Sequence, residues 1–280
     1  MVLGTDLTGK MAVGTGAGGI LCGMFARTLA RAGAAVALLD INLEAAEETA
    51  RDIREAGGTA AAYGVDVMDK EMLESVHARV LARLGPCDIL INGAGGNQAR
   101  ANTSKEYFEM GDIEADVATF FDMEYKGVQG VLDLNFLGGF LTCQVFAKDM
   151  VGREGCNIIN ISSASAARPL TRIPVYSGAV AALSNFTQWL AVHFAKAGIR
   201  VNAIAPGFFV TRQNEGLLYE EDGKPAARTA KVLAATPMGR FGRPEELNGA
   251  LMFLLNNEAA GFITGIILPV DGGFSAYSGV

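Results

Sequence analysis

The chain has 280 residues, of which 50% are hydrophobic and 19% are charged, and this composition predicts a well-buried core and argues against disorder. Its net charge of −7 argues against nucleic acid as a partner, because phosphate binding needs clustered lysine and arginine. The sequence lacks the basic start followed by an apolar run that marks a signal peptide, and no apolar run reaches the roughly 18 residues of a membrane span. We therefore expect a cytoplasmic protein with no membrane partner.

Short apolar runs alternate with amphipathic stretches along the chain. KMAVGTG (10–16) predicts a buried strand, and GILCGMFARTLARAG (19–33) predicts a helix whose apolar residues recur at about 3.6 spacing. Six further strands are predicted at 34–40, 59–66, 87–95, 155–163, 199–207 and 261–273. Near-continuous apolar strands separated by helices predict an α/β, Rossmann-type, doubly wound parallel sheet of seven strands with helices on both faces.

Two segments interrupt this alternation, at about 97–126 and 208–243. The first is polar and aromatic, and the second is irregular and charged. Long insertions in compact domains are usually functional loops, although surface decoration or subunit contact is the alternative. No linker or repeat divides the chain, so we expect a single dinucleotide-binding catalytic domain over 1–280.

The cysteines and histidines give no sign of a metal site. Four cysteines stand apart without a CxxC pair, which is typical of reduced thiols in a cytosolic protein. The two histidines are far apart and outside any metal-ligand pattern. We therefore expect no metal.

A glycine-rich turn follows the first predicted strand and precedes a helix. Glycines there let the backbone approach a pyrophosphate, and the helix N-terminus attracts the negative charge. Asp40 ends the next strand, where an acid binds the adenosine ribose hydroxyls and repels a 2′-phosphate. This pattern favours NAD over NADP as the cofactor. The alternative for Asp40 is a helix N-terminal acid, a role that Asn42 also suits.

Several motifs occur in a fixed order. They are TGAGG (15–19), VDV around Asp66, NGAG (92–95), DLNFLG with Asn135, NISS with Ser163, Tyr176 thirteen residues later, and PG (206–207) with Thr211. With this ordered set of motifs, the chain resembles the short-chain dehydrogenase/reductases over essentially its full length. Segments such as RPLTRIPVYS and TPMGRFGRPEEL resemble the mannonate oxidoreductase (fructuronate reductase) branch of that family.

The resemblance implies a role for each matching residue. Tyr176 would be the acid/base, Ser163 would polarise the substrate oxygen, and Asn135 would hold a water in a proton relay. The implied cofactor-binding residues are Thr15, Gly16, Gly18, Gly19, Ile20, Asp40, Asp66, Val67, Asn92, Gly93, Ala94, Pro206, Gly207 and Thr211. The resemblance also implies a homo-oligomer, with a tetramer expected. The helix around Phe186 and Trp189 is apolar on more than one face, which favours burial on both sides.

The most consequential departure from the family pattern is Val180, which stands where the family has lysine. That lysine holds the nicotinamide ribose and lowers the pKa of the tyrosine in the family mechanism, and valine can do neither. Gly178, two positions earlier, and Gly14 in the first strand are also unusual, as are Ile20 and Cys22 at family glycine positions.

We therefore expect an oxidoreductase acting on a six-carbon sugar acid, interconverting fructuronate and mannonate, with activity weakened at position 180. An arginine would hold the substrate carboxylate. Arg172 is the first candidate, ahead of Arg168 and Arg212, and Asn97 could bind substrate hydroxyls. A dehydrogenase of another polyol or oxo-acid and a non-catalytic dinucleotide-binding protein are the alternatives.

Overall fold

A seven-stranded parallel sheet forms the centre of the computed structural model, which describes residues 4–210, 218 and 226–279. Its strands are β1 (Met11–Thr15), β2 (Ala35–Asp40), β3 (Ala60–Gly64), β4 (Ile89–Asn92), β5 (Asn157–Ile161), β6 (Arg200–Pro206) and β7 (Ile267–Val270). Their order across the sheet is β3-β2-β1-β4-β5-β6-β7, and every pair is parallel. The predicted number and direction of the strands are confirmed.

Helices cover both faces of this sheet. They are α1 (Ile20–Arg31), α2 (Leu43–Glu55), α3 (Lys70–Leu84), α4 (Tyr125–Leu132), α5 (Gly138–Phe146), α6 (Pro174–Phe194), α7 (Ala227–Ala234), α8 (Asn248–Leu255) and α9 (Asn257–Ala260). Side chains of α3, α5 and α6 belong to one apolar cluster, and those of α1, α2 and α8 belong to the other. The doubly wound arrangement is therefore confirmed.

Strands β1 to β6 supply side chains to both clusters, and β7 supplies them to the cluster of α1, α2 and α8. In β1, Val13 joins the cluster of α3, α5 and α6, while its neighbour Ala12 joins the cluster of α1, α2 and α8. Leu39 and Leu38 divide in the same way in β2. Successive side chains of a strand point to opposite faces. Because both faces are buried, the strands must be apolar throughout, which explains the continuous apolar runs in the sequence.

The chain direction across the sheet reverses between β1 and β4. From β1 the chain proceeds outward through β2 and β3, and it then returns to place β4 on the other side of β1. In doubly wound sheets such a switch point opens a cleft beyond the carboxyl ends of the strands, where ligands bind. This topology places the ends of β1, β4 and β5 around one candidate site.

A continuous helical run extends from Tyr125 to Met150 through α4, a π-helical turn at Asp133–Leu137, α5 and a 3-10 turn at Ala147–Met150. Within the described part of the chain, this one run is long and apolar enough to cross a membrane by length and composition alone. Half of its most apolar window is buried in the fold. Core helices meet the same criterion, so the run is weak evidence for a membrane span.

The two predicted insertions differ in structure. Residues 97–126 contain three short 3-10 turns, at Ala99–Ala101, Met110–Ile113 and Phe120–Asp122. The second insertion is described at 208–210, 218 and 226–243, where it contains α7. The organisation of 1–280 as a single domain stays a prediction.

Candidate active site

The turn between β1 and α1 is rich in glycine because its backbone lies against neighbouring segments. Gly16 has a φ of 65°, and a Cβ there would lie 2.9 Å from the backbone of Gly93 and Ala94. A Cβ on Gly18 would lie 2.8 Å from the Cβ of Ala45. Side chains are therefore excluded from both positions, which leaves the backbone open to a ligand.

Helix α1 begins at Ile20 with Gly19 as its N-cap. No side chain caps the first N–H groups of the helix, and its first turn has no acidic residue. Uncapped N–H groups and the positive end of the helix dipole attract phosphate. The predicted pyrophosphate site at Gly16–Ile20 therefore has suitable geometry and charge.

Asp40 ends β2 beside this turn. Its Oδ2 accepts a hydrogen bond from the backbone N–H of Gly18 at 2.9 Å, and its Oδ1 accepts one from the N–H of Asn42 at 2.8 Å. Asn42 is the N-cap of α2, where its side chain accepts from the N–H of Ala45 at 3.2 Å. The capping role considered for Asp40 thus belongs to Asn42, and the Asp40 carboxylate lies at the edge of the glycine turn.

Thr15 links the ends of β1 and β4. Its Oγ1 accepts hydrogen bonds from the backbone N–H of Gly93 at 3.0 Å and of Ala94 at 3.1 Å, and the residue is only 1% exposed. The side chain of Thr15 therefore positions Gly93 and Ala94 at the cleft. A role in cofactor binding is consequently indirect for Thr15, whereas Gly93 and Ala94 are partly exposed there.

Asp66 and Val67 follow β3 at the same edge of the sheet. Asp66 Oδ1 accepts from the N–H of Met68 at 2.9 Å, and Val67 is buried against Gly138. Among the described residues, the second carboxylate oxygen of Asp66 has no hydrogen-bond partner.

Asn92 is turned into the protein instead. Its Nδ2 donates to Asn160 Oδ1 at 2.8 Å and to Cys143 Sγ at 3.1 Å, and the residue is 4% exposed. The Asn160 amide continues the chain of bonds by donating to Thr187 Oγ1 at 2.8 Å. Asn92 therefore ties β4 to β5 and α6, and a direct contact of its side chain with a cofactor does not follow from this geometry.

Ser163 and Tyr176 come together at the carboxyl edge of the sheet. Ser163 follows β5, Tyr176 lies in the first turn of α6, and a hydrogen bond joins their side chains. Ser163 Oγ also accepts from the N–H of Ser165 at 3.2 Å. Burial raises the pKa of Tyr176 above that of a free phenol, and the bond to Ser163 offsets only part of the rise. The Tyr176 phenol is therefore protonated at neutral pH.

Val180 lies one helical turn after Tyr176 on α6 and is 2% exposed. Its backbone carbonyl accepts hydrogen bonds from the hydroxyls of Ser162 at 3.2 Å and Ser184 at 2.9 Å. No described lysine or arginine contributes to the pKa of Tyr176, which depends on burial and Ser163. An apolar side chain therefore occupies position 180, where a cation would lower the pKa of the Tyr176 phenol.

Lys105 from the first insertion does not replace the missing cation. Its Nζ donates to Asp112 at 2.8 Å and to Glu109, and both acids raise the pKa of Lys105. Both partners belong to the insertion itself, so the ammonium is neutralised there.

Asn135 occupies the π-helical turn between α4 and α5. Its Nδ2 donates to the carbonyl oxygens of Gly96 at 2.7 Å and Val131 at 2.8 Å, and its Oδ1 accepts from the N–H of Gly96 at 3.0 Å. These bonds fix the loop after β4 to the helix. Because both amide protons are in use, the side chain can hold a relay water only as an acceptor.

The segment after β6 brings a close backbone approach to the cleft. Gly207 donates its N–H to Val270 at 3.0 Å, and a Cβ on Gly207 would lie 2.7 Å from Asp271. Pro206 and Gly207 therefore have a fixed conformation next to β7. Thr211, and with it Arg212, lies outside the described residues.

Arg172 lies on the loop between Ser163 and Tyr176. It is the one described non-glycine residue with a positive φ, at 72°. Its Nε donates to the carbonyl of Thr103 at 3.2 Å, and Thr103 N–H donates back to the Arg172 carbonyl at 2.9 Å. The loop is thereby fixed to the first insertion.

The other two predicted substrate residues have partners within the protein. Asn97 donates to Asn102 Oδ1 at 3.1 Å and is exposed. Arg168 donates to the carbonyl oxygens of Phe274 at 3.2 Å and of Tyr277. Arg168 therefore holds the carboxyl-terminal segment, which removes it as a candidate for a substrate carboxylate.

A cavity of about 380 Å³ lies between the loop at 170–172, Phe208, α7 and Phe274. Its lining includes three cations and one acid, which are Arg172, Arg228, Lys231 and Glu106. Lys231 Nζ and Glu106 Oε1 form an ion pair at 2.7 Å. The sequence analysis missed Glu106, Arg228 and Lys231, because two irregular segments far apart in the chain supply them and no spacing rule connects such segments.

Comparison with known proteins agrees with this arrangement. Residues 19–275 match the family model described as enoyl-(acyl carrier protein) reductase. An uncharacterized oxidoreductase of Haemophilus influenzae is 54% identical over 275 residues, which are 98% of this chain and 96% of the relative. The chain belongs to the short-chain dehydrogenase/reductase family. An uncharacterized oxidoreductase of Bacillus subtilis, UxuB, is 49% identical over 276 residues and 98% of each chain.

A short-chain dehydrogenase/reductase of known structure has almost the same fold. It is a protein of Haemophilus influenzae with bound NAD, provisionally assigned as a D-mannonate oxidoreductase. The two chains are 53% identical and superpose with a TM-score of 0.96 over 99% of each. The predicted family and its fold are confirmed.

As a short-chain dehydrogenase/reductase, the chain keeps the serine and tyrosine of the family pattern and lacks its lysine. Among the described residues, no group of three or more His, Cys, Asp or Glu could hold a metal ion. Ser163 after β5 and the glycine turn after β1 lie at the same carboxyl edge of the sheet as Tyr176.

Proposed function

We propose that this chain is an NAD-dependent oxidoreductase that interconverts D-mannonate and D-fructuronate, with turnover slowed by Val180. The observation that carries the proposal is the similarity, over 99% of both chains, to the NAD-bound Haemophilus structure. Further support comes from Ser163 and Tyr176, whose side chains lie close enough for Ser163 to lower the pKa of Tyr176.

The residues at the cleft fit a dinucleotide. The close packing of Gly16 and Gly18 against neighbouring segments fixes the glycine turn, and α1 begins beside it with uncapped N–H groups. In this proposal Gly16–Ile20 hold the pyrophosphate, and Asp40 binds the adenosine ribose. Asp66, Val67, Gly93 and Ala94 would hold the adenine, and Pro206, Gly207 and Thr211 would hold the nicotinamide. The bound nicotinamide supplies hydride exchange.

Tyr176 and Ser163 perform the proton chemistry on the substrate. In the reductive direction the Tyr176 phenol donates its proton to the oxygen of the substrate carbonyl, and in the oxidative direction the tyrosinate accepts it from the hydroxyl. Ser163 Oγ bonds the same oxygen and fixes its position, while Ser165 orients Ser163. Asn135 holds Gly96 in place and accepts from a relay water.

Val180 weakens this chemistry through the pKa of Tyr176. A nearby ammonium can lower the pKa of an acid by roughly 1–3 units. Here burial raises the pKa instead, so tyrosinate is scarce at neutral pH. The protonated phenol needed for reduction is fully populated. The oxidation of mannonate should therefore be affected more than the reduction of fructuronate.

The substrate carboxylate has a first partner in Arg172. The residue lies four positions before Tyr176, and its Nη groups have no partner among the described residues. A guanidinium suits a carboxylate because its planar fork can donate two parallel hydrogen bonds. Asn97, exposed at the start of the insertion, is proposed to bind substrate hydroxyls.

The decisive experiment is the oxidation of D-mannonate with NAD⁺, followed as NADH formation, by the unchanged chain and by Val180→Lys. We expect slow turnover that rises at least about tenfold in Val180→Lys, the value of one pKa unit. Gly178→Ala is the matched control, since a Cβ at 178 would meet open space and changes only the helix propensity. The control should be more stable and no faster.

Two alternatives give different results in that experiment. A non-catalytic dinucleotide-binding protein would bind NADH and remain inactive with every alcohol, including in Val180→Lys. A dehydrogenase of another polyol or oxo-acid would show the increase in turnover in Val180→Lys with a different substrate. A panel of polyols and sugar acids, tested on both proteins, separates these cases from the proposed reaction.

We also propose that the chain is a cytoplasmic homotetramer. The support is an aromatic face on α5 and α6, where Phe136, Phe140 and Phe186 pack together and Trp189 stacks on Phe186 and His193. Trp189 is 57% exposed and Val192, on the same helix, is 79% exposed. Apolar side chains this exposed on a core helix favour burial against another subunit.

A further inference from the structure

The cavity beside the loop between Ser163 and Tyr176 has the size and composition of a ligand site. Its volume of about 380 Å³ lies within the range of small-molecule pockets. Leu170, Phe208 and Phe274 supply apolar walls, and the ring of Phe208 meets that of Phe274 edge-on at 5.1 Å. Because Phe208 directly follows Gly207 and Leu170 precedes Tyr176, the walls belong to the two loops that flank the proposed nicotinamide site.

The charges that line this cavity are unbalanced. Among the described residues that line it, three cations face a single acid, although the chain as a whole has a net charge of −7. Glu106 pairs with Lys231 at 2.7 Å, which leaves Arg172 and Arg228 without a counter-ion in the described part of the chain. Two such arginines at one cavity of an acidic protein favour an anionic ligand.

Arg228 is free to bind such a ligand. It has no hydrogen-bond or ion-pair partner among the described residues, and it stands in the first turn of α7, which has no acidic residue and no side-chain cap. Thr229 beside it is 2% exposed, which fixes the helix against the protein. Lys231 lies three residues later on the same face, so its bond to Glu106 holds Arg228 over the cavity.

Arg172 approaches the cavity from the opposite side. Its backbone is held at a φ of 72° by reciprocal bonds with Thr103, a conformation that is unfavourable for a residue with a side chain. The Nε is used by Thr103, which leaves the Nη groups for a ligand. The surroundings thus maintain an unfavourable conformation that keeps this guanidinium at the cavity wall.

We propose that Arg228 binds the substrate carboxylate together with Arg172, and that the Glu106–Lys231 pair positions α7 for this contact. The inference rests on the proposed function and names the residue that makes the site specific for sugar acids over neutral sugars. Arg228 and Arg172 come from the second insertion and the serine–tyrosine loop, while Glu106 comes from the first insertion. Residues of both insertions therefore contribute to the recognition of the substrate carboxylate.

The test is a binding measurement that does not depend on turnover. D-Mannonate is titrated by calorimetry into protein saturated with NADH, a combination that cannot react, and D-mannitol serves as the neutral counterpart. Arg228→Gln should weaken mannonate binding at least about tenfold, since a charge-assisted hydrogen bond is lost, and should leave mannitol binding unchanged. Arg228→Lys should fall between the two, because it keeps the charge and loses the fork.

Arg83→Gln is the matched control, because Arg83 is an exposed arginine near the end of α3 and its loss removes the same charge. It should bind both ligands as the unchanged protein does. Equal weakening of mannonate and mannitol in Arg228→Gln, or no weakening of either, would overturn the inference. Thermal unfolding of each variant shows whether it is folded.

The same titration separates failure of the inference from failure of the proposed substrate. If another sugar acid binds more tightly than mannonate and loses its affinity in Arg228→Gln, the carboxylate site stands and D-mannonate is the wrong substrate. If no acid binds the unchanged protein better than its neutral counterpart, the carboxylate site is wrong, whatever the enzyme turns over.

Discussion

The carboxylate of Asp40 accepts a hydrogen bond from the backbone N–H of Gly18 at 2.9 Å. This bond fixes a negative charge at the edge of the glycine turn, next to the position of an adenosine ribose in the proposed complex. Each carboxylate oxygen keeps a lone pair that can accept a hydrogen bond from a ribose hydroxyl. A 2′-phosphate at the same position would be repelled by the negative charge of Asp40. The relationship explains why NAD should be preferred.

Asp40→Asn should therefore reduce the preference for NADH over NADPH by about tenfold or more. The amide oxygen can still accept from Gly18, the bond from the N–H of Asn42 is lost, and the repulsion of the 2′-phosphate is removed. Fluorescence titration of both cofactors gives the ratio. Glu55→Gln removes a charge from the exposed end of α2 and should leave the ratio unchanged. Tighter binding of NADPH than NADH to the unchanged protein would contradict the assignment.

The pH dependence of mannonate oxidation should report the state of Tyr176. The reactive form is the tyrosinate, and its fraction below the pKa rises tenfold for each pH unit. Since burial raises this pKa above that of a free phenol, near 10, the rate should climb through the whole neutral and mildly alkaline range without a plateau. In Val180→Lys the climb should end roughly 1–3 pH units lower. A plateau near pH 7 in the unchanged protein would point to another base.

The sheet and the cofactor turn could be predicted from the sequence because local patterns determine them. Strands buried on both faces have to be apolar throughout, as Ala12 and Val13 illustrate, and the glycine turn must follow the first such strand. The motif order also located Ser163 and Tyr176, which the fold brings together. The same motifs identified the position of Val180; its burial, and the fact that no described lysine or arginine acts on the pKa of Tyr176, are visible only in the structure.

The direction of a side chain and the meeting of distant loops could not be predicted in this way. Asn92 matches the family motif, yet its amide is turned into the sheet toward Asn160. The contact of Glu106 with Lys231 joins residues 125 positions apart in two irregular segments. The strained backbone of Arg172 depends on Thr103 in the insertion. Each feature results from tertiary packing, to which no periodicity applies.

Substitutions at Arg172 should separate its backbone from its guanidinium. Its φ of 72° is accessible to glycine at no steric cost, whereas alanine pays roughly 1 kcal/mol there. Arg172→Gly should therefore unfold at a higher denaturant concentration than Arg172→Ala. Both should bind mannonate equally weakly in the presence of NADH, since both lack the guanidinium. A Gly variant with weaker binding and lower stability than the Ala variant would show that the residue acts through the loop conformation instead.

The exposed aromatic face of α5 and α6 should hold subunits together. Val192 is 79% exposed and Trp189 is 57% exposed, on the helix whose other face is buried at Leu183 and Leu190. We expect light scattering at micromolar concentration to give four times the chain mass of 29.3 kDa. Val192→Glu would bury an unpaired carboxylate between subunits, which costs several kcal/mol, and should give a smaller assembly. Leu81→Glu, at an exposed position on α3, should keep the mass of the tetramer. A monomeric mass for the unchanged protein would show that this face has another partner.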